Sequence, residues 1–205
     1  MLNQEDQLVA SNEVLRKGLH LVVAALPLMM LEIGRLLSLA ILVPVTLLAV
    51  TADIIRSRSS RFESLIQKVF GMMMRRDEQA GEGHLIVNGA TWVLLSLTLL
   101  TVVFDLETAG PSFMMFMVAD AAAAIAGRTL GKHQWPWSRR TLEGSLAFVV
   151  SALGIGLLFA GISGWSMLAA SLVGMIAESL PGPLNDNIRV PFLMALAMYI
   201  ASMIV

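Results

Sequence analysis

Between Asp120 and Ser145 the chain reads DAAAAIAGRTLGKHQWPWSRRTLEGS. The stretch holds an acid, glycines at 127 and 131, and four cations, Arg128, Lys132, Arg139 and Arg140. Thr141, Glu143 and Gly144 close it. Each residue type suits phosphate chemistry. Glycines 127 and 131 let backbone N–H groups approach an anion that a Cβ would obstruct. The four cations neutralise a polyphosphate. Thr141 and Glu143 stand where a following helix would begin, and a helix N-terminus favours phosphate. Asp120, Glu143 and, further on, Asp186 are hard oxygen donors of the kind that hold Mg2+ beside substrate phosphates. The combination points to phosphoryl or nucleotidyl transfer.

These residues sit in an oily chain. Of 205 residues, 57% are hydrophobic and 14% charged, and the mean hydropathy is +0.76. A soluble domain carries about 25% charged residues. The apolar residues also run in long blocks, as in a membrane protein. A net charge of −1 gives no reason to invoke nucleic acid. The absence of cysteine excludes disulfides, thiolate metal sites and a cysteine nucleophile. We expect a single integral domain over 1–205, all-α and polytopic.

A spanning helix needs about 20 mostly apolar residues. Seven candidates follow, roughly at 14–33, 36–55, 85–104, 110–127, 143–161, 164–180 and 188–205, the fourth and last short or interrupted. The first has basic residues before an apolar run, as a signal peptide does. No small-x-small cleavage site follows, so it is expected to be retained. With a cytoplasmic N-terminus and seven alternating spans, 13 of the 14 Lys and Arg residues face inside and only Arg35 falls outside. The C-terminus then lies on the opposite side, and the expected location is a bacterial inner membrane. Between the second and third spans, RFESLIQKVFGMMMRR spaces Phe62, Leu65, Ile66, Val69, Phe70 and Met73 as one helical face. That pattern fits an amphipathic helix on the inner leaflet or a plain helical connector.

In this topology the ionisable residues gather at the cytoplasmic ends of the spans. Arg16, Lys17 and His20 open the first, while Asp53 and Arg56 close the second. Glu178, Asn185, Asp186, Asn187 and Arg189 lie between the sixth and seventh. Ionisable groups within a membrane are costly and mark function. A small transporter is an alternative, but its charges would line mid-membrane depth, and these crowd one end. Simpler readings exist for single features. Gly127 and Gly131 have the spacing of helix packing in membranes, and the loop cations satisfy the positive-inside rule. Asp53 and Arg56 are three apart, as in an ion pair.

The 120–145 run resembles the CTP-binding motif of the dolichol kinase family: Asp-Ala-x-Ala, three residues, Gly, three residues, Gly, seven residues, then Lys-Lys-Thr-x-Glu-Gly. Asp120, Ala121, Ala123, Gly127, Gly131, Thr141, Glu143 and Gly144 fall on its fixed positions without a gap. Arg139 and Arg140 replace the two lysines, which keeps charge and changes donor geometry. EVLRKGLH resembles the Arg-Lys-x-x-His opening of the phytol kinase, dolichol kinase and CTP-dependent diacylglycerol kinase group. ADIIR, RRDEQAGEGHLIVNGATWVLLS and AESLPGPLNDNIRVP resemble later blocks of its bacterial members. Ala119 and Asn185 depart from the commoner Gly and Asp. The resemblance implies a kinase that uses CTP and Mg2+ to phosphorylate a lipid alcohol, such as a dolichol- or phytol-type prenol or a diacylglycerol. It implies nucleotide contacts from Gly127, Arg128, Gly131, Lys132, Arg139, Arg140, Thr141 and Gly144. Asp120, Glu143 and Asp186 become the expected catalytic and metal-binding acids, Asp186 accepting the hydroxyl proton. Arg16, Lys17, His20, Asp53, Arg56, Glu178 and Asn187 form an expected second contact zone. Phosphatidate cytidylyltransferase shares the central layout and CTP. Its Lys-Asp and His-Gly-Gly signature near the C-terminus is replaced here by SLPGPLNDNIRVP. The lipid acceptor and the oligomeric state leave no motif.

Overall fold

A computed structural model of the chain describes residue 18, residues 22–70 and residues 87–204. Within them all regular elements are helices. They are α1 (Leu26–Ile33), α2 (Arg35–Arg58), α3 (Ser60–Phe70), α4 (Gly89–Val103), α5 (Leu106–Thr129), α6 (Leu142–Gly156), α7 (Gly164–Ser179) and α8 (Asp186–Ser202). A lone antiparallel bridge, Gln134 to Thr141, is the extended pairing among the described residues. The expected beginning of the first span with Arg16, Lys17 and His20, and the stretch Met73 to Arg76, lie outside them.

Each expected span within the described residues finds a helix, and local chemistry sets the ends. Side-chain oxygens of Asn88, Asp105, Thr141, Ser163 and Asn185 accept backbone N–H groups of α4 to α8 in that order. Such caps satisfy donors that have no partner inside the helix. Asp105 explains why α5 begins four residues before the expected 110. Its carboxylate accepts from Thr108 N–H at 2.9 Å, so the helix starts ahead of Gly110 and Pro111. Between α1 and α2 the chain breaks at Gly34, whose φ of 81° belongs to the region that glycine enters without steric cost.

α5 is the hub. Two-thirds of its apolar window is buried, and it packs against α1, α4, α6, α7 and α8. Phe113, Met115, Phe116 and Met117 of α5 meet Phe148 of α6 and Met194 of α8 in the core, all 1% exposed or less. Glycines admit the large side chains. A Cβ at Gly174 of α7 would stand 2.6 Å from the Met194 sulfur, and one at Gly156 2.9 Å from the Met167 sulfur. Small residues at crossings are how helices pack closely in lipid.

α2 is peripheral, with 22% of its apolar window buried, and Leu36, Leu47 and Leu48 point outward. α2 and α5 are the helices long and apolar enough to cross a membrane among the described residues. α4, α6, α7 and α8 have 15 to 17 residues, short of the roughly 20 that a full hydrocarbon core requires. α3 is a separate short helix between α2 and α4, where the sequence pattern placed one.

Polar contacts tie α2 antiparallel to α4 along its length. Asp53 accepts Asn88 N–H at 2.9 Å, at the N-terminus of α4. Thr46 and Thr98 hydroxyls meet at 2.8 Å in mid-helix. Arg35 donates to the Thr101 and Val102 carbonyls at 2.9 and 2.7 Å, at the C-terminus of α4. An acid at the start and a cation at the end both complement the helix dipole. Asp53 also lies 3.6 Å from Arg56, both side chains nearly inaccessible.

Breaking a buried ion pair by removing one partner costs about 3–5 kcal/mol, more than exchanging both for apolar groups. Asp53→Ala should therefore lower the thermal midpoint of the detergent-purified protein clearly, and Asp53→Ala with Arg56→Met should recover part of the loss. Equal midpoints for the wild type and the single variant would refute the tie.

Candidate functional site

The sequence motif folds around one side chain. α5 and α6 run antiparallel and come closest where Thr141, the N-cap of α6, sits among Gly127, Gly131 and Gly144. A Cβ at Gly127 would stand 3.1 Å from the Thr141 hydroxyl oxygen. One at Gly144 would stand 3.0 Å from the Ala123 carbonyl oxygen and 3.2 Å from that hydroxyl. One at Gly131 would collide with the Gly127 carbonyl oxygen and stand 2.7 Å from the Thr141 methyl. The Thr141 hydroxyl accepts Gly144 N–H at 3.1 Å, and the residue is 9% exposed. The space left by the absent β-carbons is thus filled by threonine, so these glycines serve close packing of α5 on α6.

The connection from α5 to α6 is an ordered turn. Leu142 N–H donates to the His133 carbonyl at 2.8 Å, and Trp135 N–H to the Arg140 carbonyl at 2.9 Å. The Trp135 indole N–H donates to the Ser145 hydroxyl of α6 at 2.9 Å, and Trp137 stacks on Trp135. Glu143 points back to this turn: His133 Nδ1 lies 2.7 Å from it, and His133 N–H donates to it at 3.3 Å.

The α7–α8 connection meets the same place. Arg140 forms an ion pair with the buried Glu178 at the end of α7 and donates to Asp186 at 2.6 Å. The other Asp186 oxygen accepts from Arg189 at 2.6 Å, and Arg189 also donates to the Leu180 carbonyl at 2.8 Å. Gly182 lies where the Arg189 guanidinium passes, leaving no room for a β-carbon. Glu178, Arg140, Asp186 and Arg189 form one chain that fastens α7 and α8 to the α5–α6 turn.

These elements enclose an open cavity of about 220 Å3. Six residues singled out as nucleotide contacts line it: Gly127, Arg128, Arg139, Arg140, Thr141 and Gly144. Glu178, expected in a second zone, joins them. Gly131 and Lys132 are exposed in the adjoining turn and do not line it. Asp120, one and two turns before Ala124 and Gly127, shares their side of α5 but is not part of the lining. Glu143 and Asp186 stand nearby, engaged with His133 and with two arginines. Asp53 and Arg56 belong to the α2–α4 tie, and Asn187 enters through its backbone N–H, which donates to the Asn185 side chain. Among the described residues no three acids or histidines gather as a metal cage.

Ser145 and Ala124 line the cavity and were not singled out from the sequence, whereas Ala123, also in the lining, falls on a fixed position of the motif. Helical spacing carries the signal for the first two. Ser145 is four residues after Thr141, and Ala124 falls between Asp120 and Gly127 on one face.

With this geometry in view, comparison with known proteins is informative. The chain is 26% identical over 211 residues to CTP-dependent diacylglycerol kinase 1 of Schizosaccharomyces pombe, covering 92% of this chain and 93% of that one. It is 23% identical over 183 residues to an uncharacterised protein of Rickettsia prowazekii, covering 86% and 88%. No family model matches, and no solved structure matches.

The glycine packing gives an ordering that thermal unfolding in detergent can check. Gly127→Ala asks Thr141 to yield by a few tenths of an ångström, whereas Gly131→Ala drives a methyl into backbone. Gly131→Ala should lower the midpoint well beyond Gly127→Ala; the reverse order would show that Thr141 does not fill this space.

Proposed function

We propose that the chain is a membrane kinase that transfers the γ-phosphoryl group of CTP to the hydroxyl of a lipid alcohol. The observation that carries this reading is the cavity between α5 and α6, rimmed by Arg128, Arg139 and Arg140, in a chain similar along nearly its whole length to a CTP-dependent diacylglycerol kinase. In this reading the helices cross the bilayer seven times, with the cavity facing the cytoplasm of a bacterial inner membrane. The acceptor is a prenol, a polyprenol or a diacylglycerol, each a hydroxyl above apolar chains.

Phosphoryl transfer needs mainly positioning and charge neutralisation. The lipid hydroxyl oxygen forms a bond to the γ-phosphorus, the bond to the β–γ bridging oxygen breaks, and CDP leaves. The hydroxyl proton ends in solvent or on a nearby carboxylate. Arg128, Arg139 and Arg140 spread the charge of the β- and γ-oxygens, with Lys132 reaching from the turn. Arg140 is aimed by Glu178 and Asp186. Both Asp186 oxygens already accept guanidinium hydrogen bonds, so its part here is to hold Arg140.

Mg2+ would be held together with the nucleotide, since it prefers phosphate oxygens and water with one or two protein carboxylates. With Asp186 holding Arg140, Asp120 and Glu143 are the carboxylates left available to it, and it would offset phosphate charge.

The test uses purified protein in lipid vesicles with Mg2+, a panel of lipid alcohols plus phosphatidate, and CTP labelled at its α- or γ-phosphate. γ-Label in the alcohol is expected. α-Label in phosphatidate would mark a cytidylyltransferase instead, and label in neither lipid would reject both and leave transport as the rival. Arg140→Ala should lower kcat/KM at least about a hundredfold, the scale for losing one preorganised charge-stabilising donor. Asp120→Asn should abolish turnover while insertion persists. Wild-type-like turnover in either variant removes that residue from the site.

A further inference from the structure

The cavity is small for a whole nucleotide. Ligand pockets usually measure about 300–1,000 Å3, and this one offers about 220 Å3. Its rim is cationic, which suits the phosphates and leaves the base outside. Beside it stands an aromatic pair that the phosphate chemistry does not use. Trp135 and Trp137 stack with ring centroids 4.9 Å apart and planes 26° apart.

The pair is built into the site. The Trp135 indole N–H donates to Ser145, which lines the cavity, and the Trp135 backbone N–H donates to the carbonyl of Arg140, which also lines it. A turn closed by Ser138 N–H on the Trp135 carbonyl at 3.3 Å carries Trp137 over Trp135. Trp137 keeps 48% of its surface exposed. An indole that is anchored from below and open above is a stacking surface beside the cavity.

We infer that the Trp135–Trp137 pair is the platform on which the base of the nucleotide stacks while its phosphates occupy the cavity. This rests on the nucleotide reading of that cavity. Stacking on an aromatic ring tolerates every base, because each has a π-face. The platform therefore adds affinity for nucleotides over bare polyphosphate and does not by itself choose cytosine. A different origin of exposed tryptophans is anchoring at the membrane–water boundary, and the two roles separate experimentally.

Trp137→Ala and Trp137→Phe are compared with the wild type in vesicles. The readouts are KM for CTP, KM for the lipid alcohol, kcat, and inhibition by inorganic tripolyphosphate. Trp137→Ala should raise KM for CTP about tenfold, with kcat, lipid KM and tripolyphosphate inhibition unchanged, and Trp137→Phe should restore most of it. An unchanged KM for CTP, or a shift confined to lipid KM, overturns the platform. An equal loss of tripolyphosphate inhibition also overturns it, since the residue would then be shaping the cavity. If wild-type protein neither turns over CTP nor is inhibited by tripolyphosphate, the nucleotide reading itself falls and the platform with it.

Discussion

Everything at the loop end of this bundle depends on how closely α5 and α6 can cross, and that distance is set by Thr141 lying in a cleft made by three absent β-carbons. The threonine does two things there. Its hydroxyl caps α6, and with its methyl it fills the gap between Gly127, Gly131 and Gly144. Once it is seated, the positions of its neighbours follow. Arg139 and Arg140 are delivered to the side of α5 that presents Arg128, and the three arginines line one cavity. A packing motif therefore carries the residues proposed to hold the anion. Of the two readings of the Gly127–Gly131 spacing, close packing is the one these contacts show.

Polar side chains hold the rest of the helices, and exposure separates their two uses. Asp53 and Arg56, at 7% and 6% side-chain exposure, are nearly inaccessible, and Asp53 closes α2 onto α4. Arg140 and Asp186, at 34% and 37%, make a similar carboxylate–guanidinium contact in the open. In lipid, apolar surfaces gain little by meeting each other, so helix contacts lean on close packing and such polar ties. Only the exposed tie can exchange partners with an arriving anion.

Much of this was legible in the sequence because apolar blocks and turn residues act locally. Each apolar block within the described residues holds a helix, two of them long and apolar enough to cross a membrane, and six of the residues singled out as nucleotide contacts line one cavity. What escaped were contacts between residues far apart in sequence. Arg35 looked like a stray charge on the wrong side, yet it caps the C-terminus of α4, 66 residues away. Asp186 carried the chemistry of a proton acceptor or metal ligand, and nothing in its neighbours in sequence announces Arg140, 46 residues earlier. The expected fourth span began at 110, whereas the cap at Asp105 starts α5 at Leu106.

The acids around Arg140 also address an electrostatic difficulty of the proposed site. A guanidinium partly withdrawn from water, waiting for a triphosphate, is costly if nothing compensates it. Glu178 and Asp186 compensate it in the ligand-free chain and fix its direction at the same time. Arg139 and Arg128 are exposed, so less of their hydration is lost. An incoming phosphate then trades one set of oxygens for another at Arg140 instead of having to order a free side chain. Geometry prepared in this way lowers the entropy lost on binding.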